Sequence, residues 1–219
     1  MDDSPVFDPG LLRSVPLSVR GDARVAMRCL LRTDQPAARW LIQDTQAHAA
    51  DNPEIYVAGE LMQIPERIHY SWPRLDKTQG LNKAQHLILS AWMSRHTDGW
   101  FRQRGLGLLL ASDAPWTIPF VIQLCGEYVI EIGQDILQFI TQGLDQIPQL
   151  REAYLKFAKD NPGFMEITEQ RATSYWNDDY RGQIRHKEYP QLAALRALAA
   201  LEPAKQPTSA PAASGLHEA

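Results

Sequence analysis

Three carboxylates, Glu127, Glu131 and Asp135, recur at one-turn spacing and are expected on a single helical face, where they could do acid–base work or bind a basic partner. A charged face turned to solvent is the commoner origin of such a run. The segment Tyr175-Trp176-Asn177-Asp178-Asp179-Tyr180-Arg181 alternates aromatics with both signs of charge at a helix end. Trp, Tyr and Arg dominate interface hot spots because they bury large area while keeping a polar handle. Tyr175, Trp176, Asp178, Asp179 and Arg181, with the three carboxylates, are therefore the candidate partner-binding residues; equally, Tyr175 and Trp176 could be core and the aspartates a solvated helix end. Arg181, Arg185, His186 and Lys187 form a small basic cluster beside them.

Other chemistries lack their residue patterns. His48, His69, His86, His96, His186 and His217 share no ligand spacing with one another or with Cys29 and Cys125, so no metal is expected. The two cysteines lie in apolar segments, which raises a thiol pKa, and no Gly-x-Ser-x-Gly elbow is present. Gly105-Leu-Gly107 lies within a helical pattern and lacks the strand and lysine of a phosphate loop. No catalytic residue and no cofactor is expected.

The elements that must position these residues read as helices from end to end. A stripe of Val25, Ala26, Cys29 and Leu30 predicts a helix over 22–33, and Thr33-Asp34 with Pro36 opens a second through Trp40, Leu41 and Ala47. Asp51-Asn52-Pro53 predicts a third running to about Met62. Tyr70 to Asn82, with Pro73 and Gly80, is expected to be a loop. Further helices are predicted over Lys83–Arg95, over Gly99–Leu110 with a cap in His96-Thr97-Asp98, and over Ile118–Cys125, which Gly126 ends. From Glu127, the positions Val129, Ile132, Ile136, Phe139 and Ile140 keep the helical step, although the β-branched Tyr-Val-Ile-Glu-Ile run would also suit a strand. Leu150, Ala153, Tyr154, Phe157 and Ala158 mark a helix stopped by Asp160-Asn161-Pro162-Gly163, Phe164 to Tyr175 another, and Leu192, Leu195 and Leu198 a last one after Pro190. Residues 1–202 are expected to form one domain, and Pro203–Ala219, rich in Pro, Ala and Ser, a disordered tail.

The run Asp98-Gly99-Trp100-Phe101-Arg102-Gln103-Arg104-Gly105 resembles the second-helix signature of HEAT repeats, D-x-x-[V/F]-R-x-x-[A/G], and a proline-initiated short helix follows it. Glu127 to Gly133 fits the next copy with Glu127 at the acidic position and Gly133 in place of the arginine; Asp34 to Arg39 is a poorer third copy. Asp34, Asp98 and Glu127 suit a period of about 30 residues. The clearest match covers residues 84–142. The resemblance implies an all-α, right-handed solenoid of stacked antiparallel helix pairs, in which Asp98 and Arg102 are structural members of a ladder joining the repeats.

Stacked pairs leave a concave surface, which usually binds another protein. The expected function is a non-enzymatic protein-binding adaptor or inhibitor, with a toxin-immunity protein as a concrete example, since small acidic proteins neutralise basic effectors by charge complementarity. The alternative is a HEAT-like DNA glycosylase using Trp100, Arg102, Trp176, Asp178 and Arg181. A formal charge of -4 over 219 residues disfavours nucleic acid, because backbone phosphates dominate such affinity. A HEAT-like lyase acting on bound pigments has no dedicated site in the chain. No apolar run approaches the ~18 residues of a membrane span, and Met1-Asp2-Asp3-Ser4 is acidic where a secretory signal needs positive charge. A cytoplasmic protein with no membrane contact is expected.

Overall fold

The computed structural model describes residues 7–32, 54–71 and 73–203. Ten helices account for most of these: α1 Pro9–Arg13, α2 Arg20–Met27, α3 Leu75–Thr78, α4 Lys83–Met93, α5 Gly99–Leu110, α6 Ile118–Leu124, α7 Ile130–Gln138, α8 Pro148–Asp160, α9 Pro162–Tyr175 and α10 Pro190–Ala199. Four short strands, β1 Leu31–Arg32, β2 Ile55–Val57, β3 Glu60–Met62 and β4 Tyr70–Ser71, form two antiparallel pairs, β1 with β4 and β2 with β3. Among the described residues no helix is long and apolar enough to cross a membrane.

Most helices from α4 onward start at their own capping chemistry; α7, with no side-chain cap and no first-turn proline, begins at Ile130 and not at Glu127. Asn82 accepts from the Gln85 backbone N–H while the Gln85 side chain accepts from the Asn82 N–H, a reciprocal cap that opens α4. Asp98 caps α5 by accepting from the Trp100 N–H at 2.8 Å. Prolines in the first turns of α6, α8, α9 and α10 sit where a helix has no use for the missing N–H.

Near the N-terminus the structure departs from the helical expectation. The stretch read as a helix to Met62 is a hairpin: Ile55 and Val57 point inward, Tyr56 outward, and Ala58 and Gly59 turn the chain with φ of 51° and 89°. Two successive positive φ values are the geometry that a two-residue hairpin turn requires. The helix expected over 22–33 ends at Met27, and its predicted stripe residue Val25 faces solvent while Ala23, Ala26 and Met27 are buried. The expected loop from Tyr70 to Asn82 contains β4 and α3. The second predicted helix, through Trp40 and Ala47, and the tail from Ala204 onward lie outside the described residues.

The core runs through the molecule without interruption. α2 packs on α4 and α4 on α5; α5 meets α6 and α7; α6 meets α8 and α9. Trp92, fully buried on α4, donates its indole N–H to Ser14 Oγ at 3.0 Å and so ties α4 to the N-terminal layer. The last helix, α10, returns to pack along α7 as well as on α8 and α9. Two glycines permit the closest approaches: a Cβ on Gly105 would lie 2.6 Å from Ser90 O of α4, and one on Gly133 would lie 2.6 Å from the Gln191 side chain of α10. Gly105 and Gly133 thus both serve helix contact.

Candidate functional site

The turn between α6 and α7 carries Glu127, and the structure places this residue differently from the single-face reading. It precedes α7 and its side chain is turned inward at 1% exposure, whereas Glu131 and Asp135 lie on the exposed side of α7. Part-burial, together with Glu131 one turn earlier, pushes the Asp135 carboxyl above its ordinary value. The three carboxylates do not share a face.

Glu127 goes inward because three guanidiniums meet it. Arg67 Nη1 and Nη2 donate to its two oxygens at 2.6 and 2.7 Å, a bidentate fork. Arg95 Nη2 donates to Oε1 at 3.1 Å, and Arg102 Nε stands 3.7 Å from Oε2. Local structure delivers each of them. Ile68 bridges in parallel to His96, its N–H donating to Arg95 O at 2.9 Å, which lays residues 65–68 along the end of α4. Arg95 then reaches Pro65 O and Glu66 O as well as the carboxylate. Arg102, in the first turn of α5, donates to His96 O and Thr97 O. Its Nε and Nη2 have no hydrogen-bond partner among the described residues, and its guanidinium lies 5.3 Å from the Tyr128 ring centroid.

The backbone of the same turn is fixed from the other side. Tyr189 Oη and Gln191 Nε2 donate to Glu127 O, Gln191 Nε2 also to Val129 O, and Tyr180 Oη to Tyr128 O at 2.8 Å. Burial alone would raise the Glu127 carboxyl, but Arg95, Arg67 and Arg102 outweigh it and hold the group below its ordinary value. Burial presses the Arg95 guanidinium down to about 9, against the pull of Glu127, which leaves it charged at neutral pH.

Over this knot opens a cleft of about 190 Å³ lined by Glu66, Arg67, Gly126, Glu127, Arg171, Ser174 and Tyr175. Arg171 on α9 pairs with Glu66 at 3.2 Å. The structure thus brings together two of the residues singled out in the sequence, Glu127 and Tyr175, from opposite walls. Tyr175 also meets Tyr128 with ring centroids 5.7 Å apart. Beyond Tyr175 the chain widens into a π-helical turn over Trp176–Tyr180. Trp176 is drawn inward, its indole N–H donating to Ile184 O at 2.8 Å and its ring edge-on to His186. Asp178, Asp179 and Arg181 stay exposed, with Asp178 accepting from Ser174 Oγ at 3.4 Å on the cleft rim. Of the basic cluster, Arg185 is paired with Glu188.

Sequence reasoning missed Arg67, Arg95, Arg171 and Ser174. None belongs to a short motif, and Glu66-Arg67 lies in an irregular stretch with no period to place it. The only available signal was arithmetic: an acidic residue in an otherwise apolar stretch, Ile118 to Gly126, needs cationic partners if it is buried. Arg102, one of the residues of the glycosylase reading, is 1% exposed. Cys125 is buried, which pushes its thiol up to about 12, and Cys29 donates to Lys77 O. No cluster of His, Cys, Asp and Glu among the described residues could hold a metal. No protein-family model matches the chain, and no curated protein or solved structure is significantly similar to it.

Proposed function

We propose that the chain is a non-catalytic binding protein, an adaptor or inhibitor working in the cytoplasm, that grips a protein partner on the face around Tyr175. The observation that carries this reading is the construction of that face. Half-buried and exposed aromatics, Tyr175 and Tyr128, stand beside exposed Asp178, Asp179 and Arg181, with the Tyr180 hydroxyl tying this segment to the Tyr128 carbonyl next to Glu127. Rigid aromatic anchors ringed by polar groups lose little entropy on binding and are what hot spots are made of.

We read the helices as HEAT-like pairs. Support comes from the Arg102–Glu127 approach, because the two residues occupy the arginine position of one signature and the acidic position of the next. The return of α10 onto α7 closes the C-terminal end of such a stack.

The reading is tested by affinity capture from the native cell with the full chain, beside Tyr175→Ala and Asp178→Lys. A stoichiometric protein retained by wild type and lost from both variants, at unchanged melting temperature, is the expected result. A partner retained equally by all three would remove this face from the function, and duplex DNA bound at ~100 mM salt would favour a nucleic-acid role instead.

A further inference from the structure

We infer that the cleft between Arg67 and Arg171 is a binding site for a phosphate monoester, a dianionic phosphoryl group held by the two guanidiniums and the Tyr175 hydroxyl. The charge balance favours an anion. Arg67, Arg95, Arg102 and Arg171 bring four positive charges to the knot and cleft, and Glu66, Glu127 and the rim residue Asp178 bring three negative ones. Four less three leaves an excess of one. Arg95 and Arg102 have side-chain exposures of 0% and 1%, so water and salt screen their charge poorly.

The donors are arranged to deliver that excess. Arg67 uses both Nη1 hydrogens, on Glu66 O and Glu127, and one Nη2 hydrogen, on Glu127; its Nε–H and second Nη2 hydrogen are not needed inside the knot. Its side chain is 25% exposed and lines the cleft. Arg171 faces it from α9, paired with Glu66. Beside the Glu127 carboxylate, Arg102 leaves Nε and Nη2 without a hydrogen-bond partner among the described residues, with Nε 3.7 Å from Glu127 Oε2.

A carboxylate brings one charge and two acceptor oxygens, whereas a phosphate monoester carries about −1.5 to −2 near neutral pH, competes with Glu66 for Arg171, and offers three acceptor oxygens to the converging donors. Two sources share that chemistry, a small phosphorylated metabolite and a phosphorylated side chain on a protein. The inference goes beyond the partner reading and does not depend on it, because a small ester probes the cleft in the absence of any protein.

The experiment titrates the ¹⁵N-labelled full chain with phenyl phosphate, with a phosphoserine hexapeptide of otherwise neutral residues, and with benzoate at matched ionic strength. Shifts are expected at the amides of 66–67, 126–127 and 171–175, with benzoate weaker by about tenfold or more, in line with one charge of difference. Affinity should rise between pH 5 and 7 as the ester loses its second proton near pH ~6. Arg171→Glu should abolish binding. Glu66→Gln, which removes a competing carboxylate and releases Arg171, should tighten it by about three- to tenfold, an outcome that a purely structural role for the pair would not produce. Equal affinity for the ester and the peptide identifies a free phosphate ester as sufficient, and binding by the peptide alone identifies a phosphoprotein. No shifts with either probe, equal binding of benzoate, or unchanged affinity in Arg171→Glu and Glu66→Gln would each overturn the site.

Discussion

At the scale of single residues, Glu127 decides most. A carboxylate at 1% exposure is tolerable only because three guanidiniums surround it, and removing one partner of a buried ionic group costs about 3–5 kcal/mol by leaving the others uncompensated. Glu127→Gln is therefore expected to lower unfolding free energy by about that amount in urea melts at pH 7. The pH dependence has a definite sign. The native carboxyl titrates below its unfolded value of about 4.3, so below that pH the unfolded chain binds the proton first and stability falls; above ~5 the contribution is complete. Melts at pH 7, 5, 4 and 3 should show wild type losing stability on the acid side faster than Glu127→Gln. Curves that fall in parallel below pH 5 would mean that the three arginines do not hold the charge. Nothing in the spacing of Glu127 from Glu131 and Asp135 could reveal this, because a one-turn interval is equally compatible with a helix that starts three residues later.

At the scale of elements, boundaries with their own local chemistry were legible and those set by distant contacts were not. The cap at Asp98 and the prolines that open α6 and α10 act within one helical turn, so sequence suffices to place them, whereas Pro162 reads in the sequence as the stop of α8 and in the structure also opens α9. The 55–62 hairpin is different. Its outer edge is satisfied by Asn161, whose Oδ1 accepts from the Tyr56 N–H at 2.7 Å and whose Nδ2 donates to Tyr56 O at 2.8 Å. The same Nδ2 reaches Phe157 O, so one side chain ends α8 and stands in for a neighbouring strand. In the sequence Asn161 reads only as a helix stop; its second task lies a hundred residues away. Asn161→Ala should cost about 1–3 kcal/mol, the penalty for stranding buried polar groups, and should speed amide exchange at Tyr56 more than anywhere in α9. Uniform exchange changes across both would assign the loss to the helix junction alone.

At the scale of the whole molecule, the helical class was readable from periodicity, while the path of the last helix was not, since amphipathic spacing says which face is apolar and not what covers it. Stacked repeats exchange energy chiefly with nearest neighbours, and their ends fray independently. Here α10 reaches past α9 to α7, where Gly133 admits the Gln191 side chain and Gln191 in turn holds the carbonyls of Glu127 and Val129. That contact couples the C-terminal end to the centre, so native-state hydrogen exchange should give α7 and α10 one common opening free energy. Gly133→Leu, which cannot fit against Gln191, should release α10, raise its exchange and that of α7 together, and loosen the turn that carries Glu127. Exchange in α10 faster than in α7 by orders of magnitude in wild type would make the last helix a detachable end, and the cleft would then owe its shape to the Arg67, Arg95 and Arg171 contacts without α10.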